Sequence, residues 1–167
     1  SEVVLTSATE VELWVKTPED KADLEALSTS QTLKEQYWKR THGTVRTALE
    51  KCIVELEKYG LNPEMAHKEV GGIANKIGTT GKLTYVMEQL EIDWKYSDAL
   101  QAADNEILAR EIIEDLFRNH GLEVTFQAKP LEGVAGNGEH THMGVAVKLK
   151  NGKYINLFTP LNMNEDY

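Results

Sequence analysis

The chain has 167 residues, and 18 Lys and Arg stand against 27 Asp and Glu for a formal net charge of −9. A chain of 18.8 kDa exposes roughly 8,300 Å² folded against about 27,000 Å² unfolded by surface scaling, enough to bury a sizeable core in a single domain over 1–167. The acidic balance, with no basic stripe to offset it, argues against nucleic acid as a partner; no apolar run nears the ~18 residues of a membrane span and Ser1-Glu2-Val3-Val4 opens no signal segment, so the expected setting is cytoplasmic.

In chain order, residues 3–15 alternate with period two. Val3, Leu5, Val11, Leu13 and Val15 take one face and Glu10 and Glu12 the other, as a half-buried strand requires. Thr17-Pro18-Glu19-Asp20 opens a connector, running to about Arg40, that has room for short helices. Val45, Ala48, Leu49, Cys52, Ile53 and Leu56 then recur at helical spacing and stop at Gly60. Cys52, the only cysteine, falls on that apolar stripe, which makes it a small core residue and leaves no internal disulfide. Before Val70, His67 and Glu69 share a face. The stretch from Asn75 to Lys82, rich in Gly and Thr, reads as a mobile loop. Leu90, Ile92 and Trp94 oppose Glu91 and Asp93 in a further strand. Ser97 is a candidate cap for a second helix carrying Leu100, Ala103, Ile107, Leu108, Ile112 and Leu116 to a stop at His120-Gly121. Residues 122–129 alternate again, and in 140–149 Thr141, Met143, Val145, Val147 and Leu149 oppose His140 and His142.

Aligned in one sheet with apolar faces down, these strands would bring Glu10, Glu12, His67, Glu69, Glu91, His140 and His142 onto one surface. Two carboxylates ~4 Å apart repel by about 4 kcal/mol at an effective dielectric near 20, so converging groups must take up protons or enclose divalent cations. Oxygen donors with an imidazole suit Mg²⁺ or Mn²⁺ and, through them, nucleotide phosphates. Each pair taken alone is more often the solvated face of an antiparallel sheet, and pattern alone does not choose between the two.

The stretch Lys129-Pro130-Leu131-Glu132-Gly133-Val134-Ala135-Gly136-Asn137-Gly138-Glu139-His140-Thr141-His142 places glycines where main-chain amides can approach a ligand, although composition alone would also fit a flexible hairpin. It resembles the signature of the glutamine synthetase family, close to K-P-x-x-G-x-N-G-S-G-M-H-x-H-x-S. The likeness extends to Glu10-Val11-Glu12, to Glu64 through Val70 against E-x-x-H-H-E-V, to Glu91 through Asn105, and to His120 through Phe126. It runs in the family's order over residues 8–15 and 44–158 and leaves the connector unmatched.

The resemblance implies an α+β fold: an antiparallel sheet with helices packed on one face, here as the N-terminal portion of a catalytic domain. It implies that Glu12, Glu69 and Glu91 hold the Mg²⁺ or Mn²⁺ serving the amino acid and its acyl phosphate. Glu10 and His140 would hold the ion bridging nucleotide phosphates. Glu64, Tyr96 and His142 match positions around the ATP, Tyr96 beside the base, and Gly136 matches a substrate-contacting glycine. The implied reaction activates the glutamate γ-carboxylate with ATP as γ-glutamyl phosphate, from which ammonia displaces phosphate. Full-length relatives are expected to assemble as homo-oligomeric rings.

This sequence departs from the family pattern at Ala135 for Asn, Asn137 for Ser, Glu139 for Met, Gly144 for Ser and Lys68 for the second His. The small N-terminal domain, the phosphate-stabilising arginines and a further ligating Glu have no counterpart in these residues, so the chain alone is expected to be inactive or nearly so. Two alternatives share the resemblance: a ligase joining glutamate to a larger amine, and a non-catalytic metal- or nucleotide-binding module.

Overall fold

In a computed structural model of the chain, the described residues are 1–77 and 82–158. They form a mixed α+β fold built on one antiparallel sheet of β1 (Glu2–Pro18), β2 (Pro63–Lys68), β3 (Ile73–Ile77), β4 (Lys82–Trp94), β5 (Ser97–Asp98), β6 (Glu123–Thr125), β7 (Glu139–Lys148) and β8 (Tyr154–Asn156). A short α1 (Leu33–Gln36) precedes two long helices, α2 (Gly43–Lys58) and α3 (Ala99–Asn119).

β1 organises the sheet. Along one edge it pairs with β5 at Thr6 and Ser7 and then with β4 from Glu10 to Pro18. Along the other it pairs with β7 from Glu2 to Val11 and with β6 from Trp14 to Lys16. β2 adds beyond β4 and β8 beyond β7. The registers Glu12↔Glu91, His67↔Glu91 and Glu10↔His140 keep the period-two parity aligned across four strands. A slip of one residue would send every carboxylate to the opposite face.

The helix-side core follows from the same parity. Val11, Leu13 and Val15 with Leu90, Ile92 and Trp94 meet Val45, Ala48, Leu49, Cys52 and Leu56 of α2 and Ala109, Ile112, Ile113 and Phe117 of α3. Each fully buried large side chain contributes about 1.5–3 kcal/mol. No described helix is long and apolar enough to cross a membrane.

Several expectations change. The face of α3 is only partly the expected one: Ile112 is buried and Leu108 and Leu116 pack on the core, but Ala102, Asn105, Ala109, Ile113 and Phe117 complete the buried face while Leu100 is 76% and Ile107 62% exposed. Apolar residues lie all round this helix, so spacing alone does not choose its packed face. Its cap is Asp98, whose carboxylate accepts the Gln101 N–H at 3.1 Å, not Ser97. Within the loop expected over 75–82, residues 75–77 and 82 are strand, where β3 and β4 pair with each other; residues 78–81 lie outside the described ones. Residues 122–129 hold only the three-residue β6.

The polar face is also less uniform than alternation predicts. Trp14, Val70 and Met87 are buried there beneath Leu131, Val134 and Ala135 of the glycine-rich segment. The Trp14 indole N–H donates to the Ala135 carbonyl at 3.1 Å. That segment is therefore packed down on the sheet, unlike a free hairpin.

Candidate metal centre

The sheet places Glu10 and Glu12 on β1, Gln89, Glu91 and Asp93 on β4, His67 on β2 with Glu69 just after it, and His140 and His142 on β7, all with the parity opposite to the helices. Glu69 is held in register by its N–H on the Gln89 carbonyl at 2.9 Å.

Among the described residues two groups of ligand atoms form, and Glu91 belongs to both. Glu10, Glu91 and His140 each offer an atom within 4.8 Å of the others, and so do His67, Glu69 and Glu91. Glu12 belongs to neither group but faces Glu91 directly across the β1–β4 ladder. Its Oε2 accepts the Gly138 N–H at 2.7 Å and the Gln89 amide at 3.2 Å. Burial raises the Glu12 pKa, the Gly138 hydrogen bond opposes that, and Glu69 and Glu91 raise it further. Asp93 is likewise raised by burial, against the Met65 N–H that it accepts.

His67 supplies counter-charge. Its Nε2 lies 3.2 Å from Glu69 and 3.1 Å from Glu91, with all three side chains nearly buried. Burial works against the charged ring, but the two carboxylate contacts outweigh it and push the imidazole up to about 9. Its Nδ1 is buried without a hydrogen-bond partner. Tyr37 from the connector lies against this ring, 4.1 Å between centroids. Burial raises the Tyr37 pKa first, and Glu91, Asp93, Glu69 and Glu10 raise it further, so its hydroxyl lies in the field of the cluster.

Carboxylate oxygens with an imidazole nitrogen, two of the carboxylates buried, make a donor set that fits a hard divalent cation such as Mg²⁺ or Mn²⁺.

The remaining candidates fall around this centre. His142 Nε2 lies 2.8 Å from Glu10 Oε1. Tyr96, 72% exposed, directly precedes β5, whose Ser97 pairs with Ser7 on the edge of β1 away from β7 and its His142. Glu64 lies at the β2 bulge, where it lines a groove of about 410 Å³ with Arg46 and Leu49 on the α2 side, outside both ligand groups. The Gly136 carbonyl accepts from Gln89 at 2.8 Å, and a Cβ at this position would lie 2.2 Å from the Ala128 carbonyl oxygen. Glu139 points to the helix side and pairs with Arg110 of α3 at 2.6 Å.

Sequence reasoning assigned no role to Tyr37, Gln89 or Asn137, and only placed His67 on the face. Gln89 shares the parity of Glu91 and Asp93 and was legible by that signal. Tyr37 lies in a segment without periodicity and carries no such mark.

Residues 2–160 match the family described as glutamine synthetase, catalytic domain. The glutamine synthetase of Pyrococcus abyssi is 37% identical over 90 residues, 54% of this chain and 17% of that protein. That of Thermus thermophilus is 42% identical over 66 residues, 40% of this chain and 15% of that protein. The chain thus spans about one sixth of the length of these relatives. Among solved structures, apo GmaS superimposes with a TM-score of 0.63 at 25% identity over 96% of this chain and 33% of that one. The fold is shared with Plasmodium falciparum glutamine synthetase at a TM-score of 0.64 and 20% identity, over 95% of this chain and 32% of the other. By the match over nearly its whole length, this chain belongs to the glutamine synthetase catalytic-domain family.

Proposed function

We propose that this chain is the metal-binding portion of a catalytic domain that, in the complete protein, ligates ammonia to the γ-carboxylate of glutamate at the expense of ATP through γ-glutamyl phosphate. The observation that carries this reading is the pair of ligand groups joined at Glu91. Glu12, Glu69 and Glu91 would hold one Mg²⁺ or Mn²⁺, and Glu10 and His140, with Glu91 between the groups, the other. Such ions, when bound, screen an anionic carboxylate from an anionic phosphate and stabilise charge on the transferring group.

The chain's own residues prepare that encounter. Five carboxylates on one face must take up protons or be met by positive charge, of which His67 supplies one. The loop packed on Trp14 is held against the sheet through the Gly136 carbonyl and the Gly138 N–H, and Gly136 would border the amino acid. His142, Tyr96 and Glu64 would border the nucleotide. The arginines and further glutamate that complete the chemistry belong, on this reading, to parts of the protein outside these residues, and the chain alone turns over little. The whole protein is cytoplasmic and ring-forming on the same reading.

A second amine specificity is favoured by one feature. Ala135 occupies the family's Asn position, its carbonyl taken by the Trp14 indole and its methyl packed with that ring, so no amide projects to the substrate there. The test is phosphate release and γ-glutamyl product by the full-length protein with glutamate, ATP and either ammonia or larger amines. Ammonia-dependent release is expected; preference for a polyamine or aromatic amine selects the second reading, and no release with any amine overturns both.

A further inference from the structure

We propose that Gln89 and Asn137 form a latch that positions Glu12 for a divalent cation, and are therefore positioning residues of the metal centre. This rests on the metal reading given under Proposed function. Neither residue carries charge or reaches the ligand groups itself; both act through the Glu12 carboxylate.

Gln89 is fully buried in the middle of β4. Its side-chain amide faces three acceptors: the Gly136 carbonyl at 2.8 Å, Asn137 Oδ1 at 3.0 Å and Glu12 Oε2 at 3.2 Å. Two N–H groups therefore serve three oxygens on two different segments, β1 and the loop. Its own Oε1 is buried without a partner, a cost that a purely space-filling residue would not incur.

Asn137 closes the other side. Its Nδ2 donates to the carbonyls of Thr125 and Gln127, both at 2.9 Å, while its Oδ1 accepts from Gln89 and its backbone N–H from 137 reaches the Ala128 carbonyl at 3.0 Å. Every hydrogen-bonding atom of this side chain is used, which fixes the end of the loop to β6 and β4 together. The next residue, Gly138, donates its N–H to Glu12 Oε2 at 2.7 Å and accepts the Glu12 N–H at 3.1 Å.

The consequence is a division of labour within one carboxylate. Oε2 of Glu12 is held by two protein donors, which leaves Oε1 for a cation. A Cβ at position 138 would lie 3.2 Å from Oε1 and 3.3 Å from His140 Nε2, so the glycine keeps open the space between a ligand of each proposed site. Outer partners of this kind orient a metal ligand, and their loss typically weakens metal binding 10–100-fold. Asn137 replaces the serine of the family pattern, and its two donors reach carbonyls that a hydroxyl with one hydrogen cannot satisfy together.

The test is a Mn²⁺ titration of the 167-residue chain, followed by the paramagnetic resonance of free Mn²⁺, for the wild type, Asn137→Ala, Gln89→Met and Asn119→Ala, an exposed control at the end of α3. Melting of the metal-free proteins is recorded in parallel, and titrations are run well below each melting temperature. Expected is a rise of tenfold or more in the Mn²⁺ dissociation constant for Asn137→Ala and Gln89→Met, with Asn119→Ala unchanged. Variants that melt earlier yet bind Mn²⁺ like the wild type overturn the latch and leave the metal reading standing. A wild-type chain with no saturable Mn²⁺ site overturns the metal reading, and the latch with it. If Asn137→Ala does not fold, Asn137→Ser, which keeps one donor, is read the same way with a smaller rise of severalfold.

Discussion

Raising the pH of the metal-free chain from 6 to 10 is expected to remove about 3 kcal/mol of stability through His67 alone. The imidazole is pushed from 6.5 to about 9 by its contacts with Glu69 and Glu91, against the cost of burial. At about 1.4 kcal/mol per pH unit, that displacement corresponds to about 3 kcal/mol, to order of magnitude. The sign follows from which state binds the proton more tightly. The folded chain does, so the contribution is fully present below pH 6.5 and is lost as the pH rises through about 9. Both carboxylates contact the same Nε2, so Glu91→Gln removes one of two nearly buried acceptors and lowers the His67 titration point by at least about one pH unit. The assay pairs urea unfolding across pH, in the presence of chelator, with NMR titration of ¹³C-labelled histidine. His67→Gln supplies the baseline for every other group. If His67 titrates near 6.5, or if wild type and His67→Gln show parallel stability profiles, the electrostatic account of the cluster is wrong.

Three further outcomes are expected. Lys68, buried on the helix side and 2.7 Å from Glu88, is an ion pair inside the fold; Lys68→Met leaves Glu88 without its cation and costs about 3 kcal/mol in urea unfolding, whereas adding Glu88→Leu recovers most of it. Gly136→Ala forces its Cβ to within 2.2 Å of the Ala128 carbonyl, so the loop must move; a loss of about 1–3 kcal/mol is expected, with increased solvent quenching of Trp14 fluorescence as the readout. Cys52 is buried with its thiol pushed up to about 12 by desolvation, so it resists a thiol reagent at pH 8 in the native chain and reacts on addition of urea.

The parity of β1, β4 and β7 was legible because both faces of those strands carry a consistent chemical contrast over several residues. Register then brought Glu10, Glu91 and His140 together without any further information from side chains. In α2 the contrast is equally sharp, and Val45, Ala48, Leu49, Cys52 and Leu56 form the expected stripe. α3 followed the same reasoning only in part, because its apolar residues are not confined to one side: Ile112, Leu108 and Leu116 meet the core as expected, whereas Leu100 and Ile107 face out. The burial of Trp14 on the polar side follows from tertiary contact with Val134 and Ala135, more than a hundred positions away, and no local pattern carries that. Tyr37 and Asn137 are of the same kind. Their positions depend on how the connector and the glycine-rich loop close over the sheet.

The joining of two ligand groups at one side chain is tested most directly by calorimetric titration of Mn²⁺ into the wild-type chain and into Glu91→Gln. Two saturable events are expected in the wild type, and in the variant both weaken by on the order of 100-fold, at least the loss that an outer-sphere partner produces. A wild type that takes up no Mn²⁺, or a variant in which either event persists at full affinity, would contradict the geometry on which the proposed chemistry depends.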